Sequence, residues 1–305
     1  MKIYEYDQDL PLNVKRERFR DYSLISFDAV YEPQIPESRR IYLYTFETTR
    51  PWTNLIFLHG IGNGNIPYLL WFGEYFQRHG IQIFFMILPY HERRAKPEWV
   101  GGEPFFSPSP SYCSRIFHEA VKDVRRTLDY IEDLSPVPIS IMGFSFGGMI
   151  TTMSLALDKR LKSGVLAFTG GDWRWINWYS PYTQTLRENY TKYSNEYNCR
   201  NESNCVSNRS QSMRTVGKLQ NIDDIFSLFP ACFHYDPLSY AQFVNQPVLF
   251  LQGVFDRVIP HGSSQLLFEH LPNARKSVVP SGHKSSYIFR RLIAQRTIDF
   301  LKSSS

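Results

Sequence analysis

The chain is short of the features that mark secreted scaffolds, membrane proteins and nucleic-acid binders. Four cysteines in 305 residues are too few for a disulfide framework of this size. Cys199 and Cys205 are close neighbours in a polar stretch and could pair if oxidised, yet they lack the Cys/His grouping of a zinc site. The opening residues, Met1-Lys2-Ile3-Tyr4-Glu5-Tyr6-Asp7, contain no uninterrupted apolar core of a signal peptide. No apolar run approaches the length that spans a bilayer. The expectation is a cytoplasmic protein without integral membrane association. No basic stripe interleaved with aromatics suggests nucleic-acid binding. No linker, internal repeat or low-complexity tract divides the sequence.

What is present is ordinary globular material. Hydrophobic residues make up 43% and charged residues 21%, which leaves ample apolar mass for a large core. The formal net charge is +5. Part of the excess lies at Lys15, Arg16, Arg18 and Arg20. That cluster reads as a solvated face, with contact to an acidic surface as the alternative.

From about residue 40 to 170, short apolar runs alternate with helix-length amphipathic segments. Strands are predicted at 40–46, 54–58, 82–88, 139–142 and 164–168. Between the third and fourth, Ile116, Ala120, Val124, Leu128 and Ile131 repeat every three or four residues and predict a helix over 113–134 with one buried face. Such alternation implies an α/β fold: a mainly parallel sheet covered by helices on both faces. An earlier strand near 22–31, separated from 40–46 by Pro33 and Pro36, reads as an antiparallel start to that sheet. The alternation stops between about 170 and 245, where polar and aromatic residues dominate, and resumes with strands at 247–252 and 275–279 and a last helix over 285–301. The expected organisation is one core domain, 1–169 with 246–305, carrying a lid inserted as 170–245.

One pentapeptide carries most of the functional information: Gly143-Phe144-Ser145-Phe146-Gly147. An apolar run leads into it and a helix-like stretch follows, the context of a nucleophile elbow. Glycines two positions either side of the serine let neighbouring backbone approach a turn that a side chain would obstruct. A serine hydroxyl needs a base to become a nucleophile, and the base needs a carboxylate to orient it. With an elbow serine the chain order is serine, acid, histidine. Asp256 follows the strand 247–252, and His283 follows the next strand in Pro280-Ser281-Gly282-His283. The other reading of Asp256 is a turn or helix-capping aspartate; that of His283 is a surface-loop histidine. The rival histidines fit the order less well. His91 precedes the serine, His234 precedes Asp256, and His261 is too near it. Asp172, after a strand end, is the reserve acid.

Acyl transfer also needs backbone N–H donors for a developing oxyanion. Phe146, immediately after the serine at a helix amino end, is one candidate. The loop His59-Gly60-Ile61-Gly62-Asn63-Gly64 supplies the other, with Ile61 as the donor and His59 as a residue that shapes the loop. A phosphate-cradling role for this loop is disfavoured because the Lys-Ser/Thr of a P-loop is missing.

Taken together, Leu58-His59-Gly60-Ile61-Gly62, Gly143-Phe144-Ser145-Phe146-Gly147-Gly148, Asp256 and Ser281-Gly282-His283 resemble the α/β-hydrolase superfamily over roughly residues 40–302. The resemblance implies Ser145 as nucleophile, Asp256 and His283 as its partners, Ile61 and Phe146 as oxyanion donors, and hydrolysis through an acyl-enzyme. Serine at the elbow argues against the haloalkane dehalogenases of that superfamily, which have aspartate there. The superfamily also holds lyases, transferases and non-catalytic receptors, so it indicates machinery better than substrate.

Specificity is expected from three places. Arg93 or Arg94, in the loop after the strand 82–88, is positioned either to grip an acidic group of a substrate or to form salt bridges within the fold. The Pro/Gly-rich stretch 101–108 is a candidate wall of the site entrance. Trp173, Trp175 and Trp178 form an apolar surface at the start of the lid, either over Ser145 as an acyl- or aromatic-binding wall or packed against the main domain. The expected activity is carboxylic ester hydrolysis on a small-molecule substrate. Thioester or amide hydrolysis with the same triad is the alternative within catalysis, and a non-catalytic or slow ligand sensor is the alternative outside it. No cofactor or metal is implied, because side chains, backbone amides and water suffice.

Overall fold

The structure, a computed structural model, describes residues 1–193 and 196–304. Among these residues nine strands form one sheet: β1 (Lys15–Arg18), β2 (Ser23–Asp28), β3 (Arg40–Phe46), β4 (Thr53–Leu58), β5 (Ile81–Ile87), β6 (Ile139–Phe144), β7 (Leu161–Ala167), β8 (Val248–Gly253) and β9 (Ala274–Val279). Their spatial order is β1-β2-β3-β5-β4-β6-β7-β8-β9. The pairs from β1 to β5 are antiparallel, and from β5 through β9 the strands run parallel.

The alternation of side chains along a strand explains why both faces of the sheet need cover. On β4, Ile56 and Leu58 enter one apolar cluster while Leu55 and Phe57 enter the other. The first cluster is closed by α2 (Pro110–Glu132) and α3 (Phe146–Leu157). The second is closed by α1 (Ile66–Gln77) and α9 (Arg290–Ser304). Ile116, Ala120, Val124, Leu128 and Ile131 on α2 are all fully buried, as their spacing predicts.

Three elements differ from the sequence expectation. The basic cluster at 15–18 forms β1, an exposed edge strand paired with β2 through Lys15↔Ser26 to Arg18↔Ser23. Its charges fit an edge, where like-charged side chains discourage pairing with another sheet. Helix α1 was not anticipated, because Leu70 and Trp71 extend its apolar side beyond a single stripe. The last helix begins at Arg290, and residues Lys284–Phe289 form a 3-10 turn instead.

Between β7 and β8 the chain forms α4 (Trp173–Tyr179), α5 (Gln184–Lys192), α6 (Glu202–Met213) and α7 (Pro237–Ala241). Helix α8 (His261–Glu269) lies between β8 and β9. Among the described residues no disulfide is present. Cys199 and Cys205 are both buried, and hydrogen bonding from Cys205 pulls the Cys199 thiol down to about 7. Among the described residues no helix is long and apolar enough to cross a membrane.

The register of the central strands positions the site. Leu58 of β4 pairs with Met86 of β5 and with Gly143 of β6. These three strands therefore end level, and their following loops meet at the carboxyl edge of the sheet, where open parallel sheets bind ligands. The loops after β8 and β9 emerge at the same edge.

Candidate active site

Strand β6 ends at Phe144 and α3 begins at Phe146, so one residue makes the turn between them. That residue, Ser145, has φ 53° and ψ −117°, a sparsely populated combination for a residue with a side chain. Its backbone is held on both sides. The Ser145 N–H donates to the carbonyl of Ala167 at 2.8 Å, and its carbonyl accepts from the Gly148 N–H at 2.9 Å. The flanking glycines are sterically required. A Cβ on Gly143 would lie 2.2 Å from the Gly147 carbonyl oxygen, and one on Gly147 would lie 2.5 Å from that of Leu58. Ser145 Oγ has no hydrogen-bond partner among the described residues, and Ser145 lines the same cavity as His283.

Asp256 follows β8, and its two oxygens divide their work. Oδ1 accepts from the backbone N–H groups of Val258 and Ile259, at 2.8 and 3.0 Å. Oδ2 accepts from His283 Nδ1 at 2.8 Å. The turn-capping role and the histidine-orienting contact thus coexist in one carboxylate. The bond to a carboxylate places the proton on Nδ1 and leaves Nε2 as an acceptor. The two loops are stitched together, since Val254 N–H donates to Val279 and Phe255 N–H donates to Ser281, both at 3.0 Å.

The loop after β4 is built around two side chains. His59 is fully buried, and burial lowers its pKa to about 4, so the ring is neutral. Its Nε2 accepts from the Leu88 N–H at 3.0 Å, which leaves Nδ1 to donate to the Gly60 carbonyl at 2.7 Å. From the other side Asn65 Nδ2 donates to the carbonyls of Gly60 at 3.2 Å, Ile61 at 2.8 Å and Gly62 at 2.5 Å. In a trans peptide the C=O and the following N–H point in opposite directions. Anchoring the Gly60 carbonyl therefore turns the Ile61 N–H away from His59 and Asn65. The Ile61 and Phe146 N–H groups have no hydrogen-bond partner among the described residues. Gly60 lies against the elbow, where a Cβ would be 3.4 Å from Ser145 Cβ.

The other histidines are committed elsewhere. His91 is buried edge-on to His59 at 4.8 Å, with Nδ1 bonded to the Pro89 carbonyl, and burial holds its pKa well below the usual value. His234 bonds the Leu228 carbonyl, and His261 starts α8. The reserve acid Asp172 caps α4 and pairs with Arg209 at 2.8 Å.

Ser145 and His283 open into a cavity of about 710 Å³ with a predominantly apolar wall that includes Ile61, Leu69, Phe72, Phe106, Tyr182 and Tyr287. Phe106 belongs to the Pro/Gly-rich stretch, and Tyr182 comes from the segment between β7 and β8. The three residues proposed from sequence as substrate contacts lie outside this wall. Trp173 is buried edge-on to Phe117 at 5.4 Å and donates from Nε1 to the Tyr235 carbonyl. Trp175 packs on Tyr179, beneath the Arg174 guanidinium at 4.2 Å. Arg93 points to Glu92 at 3.9 Å, while Arg94 is fully buried against Asp123 at 2.6 Å. Trp173 and Trp175 are taken up by packing against Phe117, Tyr235 and Tyr179 rather than by the cavity. Asn65, Tyr182 and Lys284 were not singled out from sequence. Asn65 directly follows the Gly-rich loop, and Lys284 directly follows His283, so both were within reach of a closer reading.

Solved structures share this overall fold. A cold-adapted esterase from an Arctic intertidal metagenomic library superposes with TM-score 0.57 at 18% identity, covering 97% of this chain and 99% of that one. Acetyl xylan esterase 1 from Thermoanaerobacterium gives TM-score 0.59 at 14% identity, covering 96% and 90%. The α/β hydrolase GrgF from Penicillium gives 0.54 at 16%, covering 97% and 99%. The chain has the α/β-hydrolase fold. No protein-family profile matches its sequence, and no curated protein is similar to it in sequence. Within the α/β-hydrolase fold the described site occupies the sheet edge at which the strands end, and the antiparallel β1 to β3 form an edge extension remote from it.

Proposed function

We propose that this protein is a serine hydrolase of carboxylic esters, working through an acyl-enzyme on Ser145. The observation that carries the reading is the contact between His283 Nδ1 and Asp256 Oδ2 at 2.8 Å, beside a cavity that His283 shares with the strained Ser145. Esterases among the structurally similar proteins favour the same bond type.

In the proposed mechanism His283 Nε2 removes the Ser145 proton as Oγ attacks the ester carbonyl. The Asp256 carboxylate holds the ring and stabilises the imidazolium that forms. The N–H groups of Ile61 and Phe146 receive the oxyanion, and the amino end of α3 adds favourable dipole. The imidazolium then protonates the departing alcohol oxygen, giving acyl-Ser145. Water, deprotonated by the same imidazole, attacks the acyl carbon; the acyl–Oγ bond breaks, the imidazolium returns the proton to Ser145 Oγ, and the acid is released.

A fluorophosphonate probe tests the reading. Labelling is expected at Ser145, abolished in Ser145→Ala and strongly reduced in His283→Ala, with hydrolysis of short nitrophenyl esters following the same pattern. Folded protein that neither labels nor hydrolyses such esters would overturn it in favour of a ligand sensor. Esters outpaced by matched thioesters or amides would redirect it to those bonds.

A further inference from the structure

The cavity wall is predominantly apolar, and its one lysine has no carboxylate to balance it. No aspartate or glutamate lines it. Lys284 does, directly beside His283, and among the described residues no carboxylate lies within ion-pair distance of its ammonium. Its Nζ sits over the Tyr182 ring at 5.8 Å, and that ring meets His283 edge-on at 6.3 Å. Tyr287, on the same wall, has the Arg290 guanidinium stacked behind it at 4.3 Å. The amino end of α3 adds partial positive charge below Ser145. Asp256, the carboxylate bonded to His283, has a largely covered side chain and is engaged by His283 and two backbone N–H groups.

We infer that the preferred substrates are esters whose alcohol portion is aromatic or apolar and carries an anionic group, held by Lys284 with Tyr182 against the ring. The side of the ester follows from the chemistry. His283 must protonate the departing oxygen, so the alcohol portion lies next to His283, and Lys284 and Tyr182 are the side chains there. The acyl portion then faces Leu69, Phe72 and Phe106, which offer no charge. Lys284 and Tyr182 are both exposed at the cavity rim, so the ammonium can meet an anionic group there while the ring of the substrate packs on Tyr182. The sequence suggests a cation for this task at Arg93; the structure puts Arg93 beside Glu92 and puts Lys284 on the wall. The assignment rests on ester hydrolysis at Ser145.

The test compares two butyrate esters of equal shape, 4-carboxyphenyl butyrate and its neutral amide, 4-carbamoylphenyl butyrate. The wild-type protein is expected to favour the carboxylate ester in kcat/KM. Lys284→Gln should lower the carboxylate-to-amide ratio by about three- to fivefold, the upper end for an exposed ion pair. Lys284→Arg should retain most of the ratio, Lys284→Glu should invert it, and 0.5 M salt should weaken it. A ratio unaltered by Lys284→Gln and Lys284→Glu would overturn the assignment while leaving ester hydrolysis standing. If neither ester is cleaved, the hydrolase reading fails instead. Calorimetric binding of 4-hydroxybenzoate against 4-hydroxybenzamide to Ser145→Ala then judges Lys284 independently, and equal affinities would overturn the assignment.

Discussion

The side-chain amide of Asn65 donates to the carbonyl of Ile61 at 2.8 Å. The same nitrogen also engages the carbonyls of Gly60 and Gly62, so three consecutive peptide planes share one anchor. This arrangement occupies three carbonyl oxygens of the Gly-rich loop, and the Ile61 N–H has no partner among the described residues. Asn65 touches no reacting atom in the proposed mechanism and acts as a positioning residue. Asn65→Ala should therefore lower kcat by about 10- to 100-fold, less than or comparable to loss of a direct oxyanion donor, with KM changed far less. Asn65→Asp should behave similarly, because a carboxylate cannot donate to carbonyls. Steady-state kinetics on folded variants checks this. A loss confined to KM, or one that tracks the unfolded fraction in a melting curve, would make Asn65 a merely structural residue.

Gly147 and Gly143 are close to intolerant of any side chain. A methyl on Gly147 would meet the carbonyl oxygens of Leu58 and His59 at 2.5 and 2.6 Å, and these belong to backbone at the end of β4. Flexible side chains can move aside, whereas a central strand cannot. Gly147→Ala should cost about 1–3 kcal/mol, the range for overpacking a tight interior, and should also displace the 59–65 loop from the elbow. Thermal melting and esterase rate measured on the same samples are expected to fall together. Gly64→Ala is the control, since nothing lies within 4 Å of its Cβ position. A Gly147→Ala protein as stable and active as the Gly64→Ala control would contradict the packing argument.

The parts of this fold that were legible in sequence are those dictated by local period and local turn chemistry. The α2 stripe from Ile116 to Ile131 and the apolar runs of the central strands read directly, because burial of one face or two leaves a repeating mark. The elbow read directly because two glycines two residues from a serine answer to one steric demand. Ser145, Asp256 and His283 were separately recognisable from their order after strands, and the structure brings Asp256 and His283 into contact. What remained hidden depends on which neighbour a side chain meets in space. Trp173 and Arg93 had the right chemistry for a cavity wall, yet Phe117 with Tyr235 and Glu92 respectively lie nearer to them. Tyr182 reaches the cavity from the segment between β7 and β8, where no period reports direction. The basic residues of β1 read as a solvated surface, which they are, but their strand pairing is set by β2 rather than by their own sequence.

Arg209 on α6 is fully buried and stands between Asp172 and Asp236, at 2.8 and 2.9 Å. Asp172 starts α4 and Asp236 starts α7, so one guanidinium ties three helices of the segment between β7 and β8. Removing it would strand two buried carboxylates close together. Arg209→Met should therefore destabilise by about 3–5 kcal/mol, the usual consequence of breaking a buried charge cluster by deleting one partner. The double change Arg209→Met with Asp172→Asn and the triple change adding Asp236→Asn should each recover part of the loss. Urea unfolding of the series provides the check, and a progressive recovery is the expected pattern. A loss that deepens with each neutralisation would show that the carboxylates are held by other means.

The pH dependence of stability should carry the signature of His59. Burial lowers its folded-state pKa from 6.5 to about 4, while in the unfolded chain it titrates near the ordinary value. Between those limits the unfolded state binds the extra proton, so stability falls as pH drops below about 6.5 and the loss is complete near pH 4. Above pH 6.5 the group contributes no slope. The full swing corresponds to about 3 kcal/mol. Two buried carboxyls oppose it, since burial raises Glu119 to about 7 and Asp123 to about 6. For these the folded state binds the extra proton, so their contribution is present at low pH and is lost as pH rises through those values. The buried histidines His91 and His118, also lowered by burial, act in the same direction as His59, so only a difference measurement isolates its share. His59→Gln removes the titrating ring while keeping a donor and an acceptor. The stability advantage of wild type over His59→Gln should shrink by about 2–3 kcal/mol between pH 7.5 and pH 4.5, measured by urea unfolding at each pH. An advantage that stays constant across that interval would mean that the ring takes up its proton in the folded protein as readily as in the unfolded chain, and that the neutral His59–Gly60 anchor of the loop is incorrect.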